Sequence, residues 1–253
     1  MKKVNIIWNY QVNSNEGTWE NSKTPDYLLH IDNSRGINNI TDSKNVLVLY
    51  EPNSILPDNY SYLDANKDRI DFAFTHRLDI CDGKKVIHMP PFFPSWISGD
   101  DAKIHEKNKL VSMIASDKIM CKGHEYRQEI ANSFPYHDDL FGRGRNFIEN
   151  KIDGLRDYMF SVAMENEVSD IYYTEKILDC FLTGTIPIYW GTRRINEIFN
   201  GDGIIFLDDL NISDLSHDLY YSKMDSVIDN FKIAKELKST SNDMVDYIIK
   251  KIS

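Results

Sequence analysis

The sequence predicts an α/β protein of two Rossmann-like domains, each built on a parallel sheet, facing one another across a cleft. Short apolar runs recur between polar loops, they alternate with helical patterns at βαβ spacing in the second half, and a proline-rich break separates the halves. Taken in order, the runs at 4–8, 46–50, 71–75 and 85–89 read as buried parallel strands, with only brief helical patches between them. The stretch Pro90-Pro91-Phe92-Phe93-Pro94, followed by the polar residues 98–101, breaks that pattern and divides the chain into domains 1–98 and 99–253. Beyond the break come a strand at 110–115, a helix at 123–133, a strand at 158–163, a helix at 174–183, and strands at 186–190 and 204–207. The last segment, 224–252, reads as one or two amphipathic helices, the final one placed to pack back on the first domain.

Composition narrows the class of function. With 29 basic against 39 acidic side chains the net charge is −10, which opposes sequence-independent attraction to nucleic acid or anionic lipid and disfavours nucleic acid as a partner. Cys81, Cys121 and Cys180 are three cysteines without CxxC spacing, so they read as buried free thiols rather than a disulfide framework or a zinc site. The first apolar run is too short and too polar for a signal peptide, and no later run approaches a membrane span. The expectation is a reducing, cytoplasmic setting. No spacing among the histidines suggests a metal site, and His76 and His88 stand at strand ends where a ligand contact or a structural role is open. Trp8, Asn9 and Tyr10 follow the first strand, either as an aromatic platform for a ring or as a core contact.

The segment richest in chemistry begins at the end of the strand 158–163. Glu165 and Asn166 follow that strand, and after a short loop Tyr172 and Thr174-Glu175-Lys176 open a helix. Thr174 is placed to cap the first turn, Ile177, Leu178, Phe181 and Leu182 form an apolar face, and Gly184 is placed to end the helix in a left-handed conformation. A helix start offers free N–H groups and a positive dipole end, a ready site for a diphosphate, and Lys176 adds a full charge. Glu175 fits a place near a sugar, where a carboxylate stabilises positive charge building on the ring. Complementing the helix dipole is the plainer use of the same residue.

The pattern of Glu165-Asn166, Tyr172, Thr174-Glu175-Lys176 and Gly184-Thr185-Ile186-Pro187-Ile188-Tyr189-Trp190-Gly191 resembles the donor-site signature of the α-1,3/4-fucosyltransferase family. Weaker similarity runs outward through residues 109–116, Arg127 and Gly142-Arg143-Gly144-Arg145-Asn146. The resemblance implies a donor-phosphate arginine in this loop, Arg145 matching better than Arg143. A guanidinium grips a diphosphate through parallel bonds, and flanking glycines let the backbone come close. Residues 46–52 are similar to the strand end that carries the family's catalytic carboxylate, which makes Glu51 the candidate base.

Taken together, the resemblance implies a GT-B type fold and an inverting, metal-independent transfer from a nucleotide sugar, GDP-fucose being the family donor, to an acceptor hydroxyl. It makes 1–98 the acceptor-side domain and 99–253 the nucleotide-sugar-binding domain. Glu51 and Glu175 are then catalytic, and Arg145, Arg143, Lys176, Tyr172, Thr174, Glu165 and Asn166 bind the donor, with no metal and no cofactor beyond the co-substrate. The absence of any Asp-x-Asp triplet agrees with a metal-independent scheme. The expected partners are a nucleotide sugar and a glycan or other hydroxyl-bearing acceptor. A different nucleotide sugar, acting on a glycan or a modified nucleic-acid base, and a non-catalytic sugar-nucleotide-binding protein are the alternatives.

Overall fold

The computed structural model describes residues 2–8, 19–37, 42–237 and 239–253. Asn9 and Tyr10, and the side chain of Trp8, lie outside the described residues. The chain divides into two compact units, Met1–Phe92 with Ser239–Ser253, and Phe93–Lys238. The division falls within the proline-rich stretch, a few residues before the 98/99 boundary read from the sequence.

The first unit is built on β1 (Lys2–Trp8), β2 (Trp19–Glu20), β3 (Tyr27–Ile31), β4 (Lys44–Leu49), β5 (Phe72–Thr75) and β6 (Val86–His88), in the order β2-β1-β3-β4-β5-β6. Every pairing is parallel. Alternation along the strands gives the sheet two apolar faces. Leu47, Leu49 and Ala73 point to the face where Tyr60 and Leu63 of α1 (Pro57–Ala65) pack. Leu29, Ile31, Val46, Val48 and Phe74 share the other cluster with Met244, Val245, Ile248, Ile249 and Ile252 of the C-terminal helix. That helix starts at a capping box in which Thr240 and Asp243 satisfy each other's backbone N–H groups. β3 had no counterpart in the sequence reading. It carries His30 in mid-strand, fully buried against Asn45 at 3.1 Å, and that polar residue interrupts the apolar signal.

The second unit orders β7 (Lys109–Ile114), β8 (Leu140–Phe141), β9 (Tyr158–Met164), β10 (Ile186–Trp190) and β11 (Ile205–Phe206) as β11-β10-β9-β7-β8, again all parallel. β9 is central and all seven of its residues are buried, so it reads as a continuous apolar run rather than an alternating one. α2 (Lys122–Ser133), α3 (Glu175–Thr183), α4 (His217–Ser222) and α5 (Met224–Leu237) surround the sheet, and α6 (Ser241–Ile252) is the helix already placed on the first unit. Thr174 caps α3 by accepting from the Lys176 N–H, and Gly184 closes it at φ 73°. A side chain at Gly184 would be strained by that φ and would meet Ile104 at 2.7 Å.

Candidate active site

At the carboxyl end of the second sheet, the exit of β9 and the start of α3 enclose a cavity of about 160 Å³. Its wall carries three cations, Arg127, Lys151 and Lys176, together with Glu175. This is the strand edge at which open α/β sheets bind ligands.

Glu165 forms the floor of the α3 start. It is 0% exposed, and its two oxygens accept from the Thr174 N–H at 2.9 Å and the Thr174 hydroxyl at 2.7 Å. Burial raises its pKa, an effect the Lys176 ammonium at 3.6 Å opposes. Lys176 Nζ also donates to Thr174 Oγ1 at 3.0 Å and stands 3.6 Å from Glu175. Burial pushes the Glu175 carboxyl up, but the Lys176 and Lys151 ammoniums together hold it below its ordinary value, so it is a carboxylate at neutral pH. Lys151 Nζ lies 2.6 Å from Asp179 and 3.9 Å from Glu175. Asp179 is in turn fixed by the Ser95 hydroxyl and by the N–H groups of Trp96 and Ile97.

Arg127 crosses from α2 to the end of β9. It is 6% exposed, and its Nη2 donates to Met164 O at 2.8 Å, Glu165 O at 3.2 Å and Asn166 Oδ1 at 3.0 Å. Its Nε and Nη1 N–H groups have no hydrogen-bond partner among the described residues. Burial lowers its pKa, with Glu165 the first of the groups that oppose this. His124, one turn earlier, donates from Nε2 to Asn166 Oδ1 at 3.0 Å and accepts the Met120 N–H at Nδ1, which fixes one neutral tautomer. Burial lowers its pKa as well. α2 reaches this close to β9 because residue 123 is glycine: a Cβ there would lie 2.2 Å from Asn166 O.

The residues singled out from the sequence therefore separate. Glu175 and Lys176 line the cavity. Thr174 and Glu165 shape the turn beneath it, Tyr172 is buried edge-on against Phe93, and Asn166 joins His124 to Arg127. Arg145 does not line the cavity: its Nη2 donates to Gln128 and Asn132 of α2, both at 3.0 Å. Arg143 is exposed on the same loop and does not line it either. Sequence reasoning passed over Lys151 and Asp179 and gave Arg127 no role. The signal for Asp179 was a carboxylate on the apolar side of α3, where it is fully buried.

Glu51 belongs to the first unit, directly after β4. Its backbone N–H donates to both oxygens of Asp32, at 3.2 and 3.1 Å, and its carbonyl accepts from the Tyr60 hydroxyl at 3.0 Å. Among the described residues no group of three or more His, Cys, Asp or Glu is placed to hold a metal ion, and no helix is long and apolar enough to cross a membrane. All three cysteines are free.

Comparison with known proteins follows the same part of the chain. Residues 104–232 match the family described as glycosyltransferase family 10 (fucosyltransferase) C-term. An alpha-(1,3)-fucosyltransferase of Helicobacter pylori is 32% identical over 98 residues, 39% of this chain and 18% of that protein. The human 4-galactosyl-N-acetylglucosaminide 3-alpha-L-fucosyltransferase 9 is 28% identical over 114 residues, 43% of this chain and 32% of that protein. The matched segments thus cover a third or less of these relatives' own lengths. A solved alpha1,3-fucosyltransferase with GDP-fucose superposes with a TM-score of 0.50 at 17% identity, covering 93% of this chain and 79% of that one, a likeness of fold.

Proposed function

The chain belongs to glycosyltransferase family 10, and on that premise we propose that it transfers fucose from GDP-fucose to a hydroxyl of a glycan acceptor, with inversion and without a metal. One observation carries the donor half of this reading. Arg127 is a nearly buried guanidinium whose Nε and Nη1 donors are unclaimed, and it lines a cavity that also holds Lys176 and the positive end of α3. Such a set of donors is complementary to a diphosphate.

In the proposed reaction the acceptor oxygen attacks the anomeric carbon as the bond from that carbon to the diphosphate oxygen breaks. Glu51 takes the acceptor's proton, and the charge that appears on GDP falls to Arg127 and Lys176. Glu175, kept ionised by its two lysine neighbours, favours the cation-like sugar. Lys151 is held by Asp179 and sets the field around Glu175 rather than gripping phosphate. Arg127 takes the phosphate role in place of Arg145, which does not line the cavity and whose Nη2 donates to Gln128 and Asn132 of α2. A reducing, cytoplasmic setting belongs to the same proposal, supported by the free cysteines.

The test is calorimetric titration with GDP and GDP-fucose, followed by GDP release with and without acceptor glycans. The expected result is GDP binding, slow release from GDP-fucose alone, strong loss of both in Lys176→Ala, and turnover that persists in a chelator. A wild type that binds no GDP- or UDP-sugar overturns the reading, and binding without turnover on any acceptor leaves a sugar-nucleotide-binding protein.

A further inference from the structure

A guanidinium can only donate, and a neutral imidazole donates from one nitrogen and accepts at the other, so the hydrogen bonds around His124 have assignable directions. Met120 gives its backbone N–H to His124 Nδ1 at 3.1 Å, which makes Nδ1 the acceptor and leaves the ring proton on Nε2. Nε2 then donates to Asn166 Oδ1 at 3.0 Å. The same oxygen accepts from Arg127 Nη2 at 3.0 Å, so both of its lone pairs face donors. The Asn166 amide therefore has one orientation, because turning it over would set its NH2 against two N–H donors.

His124 is 4% exposed and does not line the cavity, so it acts only through what it holds. A second ring proton would face the Met120 N–H; burial, helped by the Arg127, Lys176 and Lys118 cations, lowers the ring's pKa and keeps that proton off. The main chain nearby is secured by other contacts. Cys121 Sγ donates to Asn166 O at 3.3 Å, Gly123 lets α2 approach that carbonyl, and Arg127 Nη2 also donates to Met164 O and Glu165 O. These contacts place backbones and leave the Asn166 amide free to rotate. Among the described residues, only His124 and Arg127 bond that amide.

We propose that His124 is a positioning residue for the donor site: by turning the Asn166 oxygen toward Arg127, it pins the Nη2 corner of the guanidinium and keeps the Nε and Nη1 edge free for a ligand. The guanidinium is planar, so fixing one corner by a side-chain oxygen as well as by two backbone carbonyls fixes the plane of the rest. The same orientation leaves Asn166 Nδ2 as a second donor without a partner among the described residues. A purely structural His124 would act instead through Met120, tying the loop before α2 to its first turn. The two roles use different ring nitrogens and can be separated. That the freed edge meets a diphosphate rests on the function proposed above; the orientation of Arg127 does not.

The experiment compares two replacements. In His124→Gln the amide nitrogen stands near the place of Nε2 and serves Asn166; in His124→Asn the shorter amide offers an oxygen near the place of Nδ1 and serves only Met120. The Arg127 Nε–H peak, identified by its loss in Arg127→Lys, is followed in a nitrogen-15 spectrum of the full chain without ligand, and GDP and guanosine are then titrated. His124→Gln should leave the peak in place and GDP affinity within about threefold of wild type, whereas His124→Asn should move or broaden the peak and weaken GDP at least about tenfold, with guanosine within about twofold in both. His124→Leu, which makes neither bond, should match His124→Asn and replaces it if a melting curve shows that variant unfolded. A peak that the Gln and Asn variants move alike, or that Gln alone moves, overturns the positioning role even if the wild type binds GDP normally. So does equal GDP affinity in the two variants of a wild type that binds it. A wild type that binds no GDP, with the peak moved by Asn and not by Gln, removes the donor reading and leaves His124 positioning Arg127.

Discussion

Arg127→Lys separates charge from shape at the donor site. Lysine keeps the positive charge, and its three donors suffice for the carbonyls of Met164 and Glu165 and the amide oxygen of Asn166, which Arg127 reaches at 2.8, 3.2 and 3.0 Å. What it cannot reproduce is the second edge of the guanidinium, the Nε and Nη1 groups that have no partner among the described residues. A hydrogen bond to a charged group contributes about 1.5–3 kcal/mol, so losing one net phosphate contact should weaken GDP roughly 10- to 150-fold. Guanosine lacks the phosphates, and its affinity should stay within about twofold. Calorimetric titration of both ligands into wild type and variant, with a melting curve to confirm folding, reads the difference. Equal GDP affinity in the two proteins, or an equal loss of guanosine, would show that Arg127 holds the β9 exit together and does not meet the donor. Arg145→Ala is the companion variant: Arg145 does not line the cavity, so its loss should change GDP affinity by no more than about threefold.

Three further outcomes are expected. Glu51→Gln should keep GDP affinity and lower transfer by about 10²–10⁴, since a base and nothing else is removed; parallel loss of donor binding in a titration would mean the residue is misassigned. Lys107, 6% exposed and bonded to Leu155 O, Arg156 O and Thr185 Oγ1, has its pKa lowered by burial to about 7 from 10.5. The native state therefore gives up this proton before the unfolded chain does, and stability should rise between pH 7 and 10.5 by up to about 1.4 kcal/mol per unit, a slope absent in Lys107→Met. Urea unfolding at pH 7, 8 and 9 checks it, and parallel profiles for the two proteins would refute it. Gly123→Ala places a Cβ 2.2 Å from Asn166 O, so the first turn of α2 must shift, at a cost of about 1–3 kcal/mol. His124 sits on that turn and Arg127 on the next, and a melting curve with a GDP titration should show both stability and affinity falling.

The parts of the site legible from sequence are those written within a turn or two of chain. The strand before Glu165, the Thr174 cap, the apolar face of α3 and the Gly184 stop are local signals, and the structure forms each of them. Glu175 and Lys176 could be named because their place at the helix start follows from the cap alone. Composition and spacing likewise predicted two parallel sheets, but not β3, where buried His30 disguises the strand, nor α1, whose run Pro57–Ala65 is half polar.

Which charges meet was decided by packing. The sequence pointed to Arg145 for the phosphates and gave Arg127 no role, and only the seating of α2 against β9 and beside the arginine loop brings Arg127 to the cavity and Arg145 Nη2 onto Gln128 and Asn132. Lys151 finds Asp179, and Asp32 finds the backbone of Glu51, across gaps in sequence that no period or motif spans. Caps and periodicities are energies of neighbours along the chain and can be read from it. The partner of a buried charge is set instead by how separate elements exclude water from the same few ångströms, which exists only once they have packed.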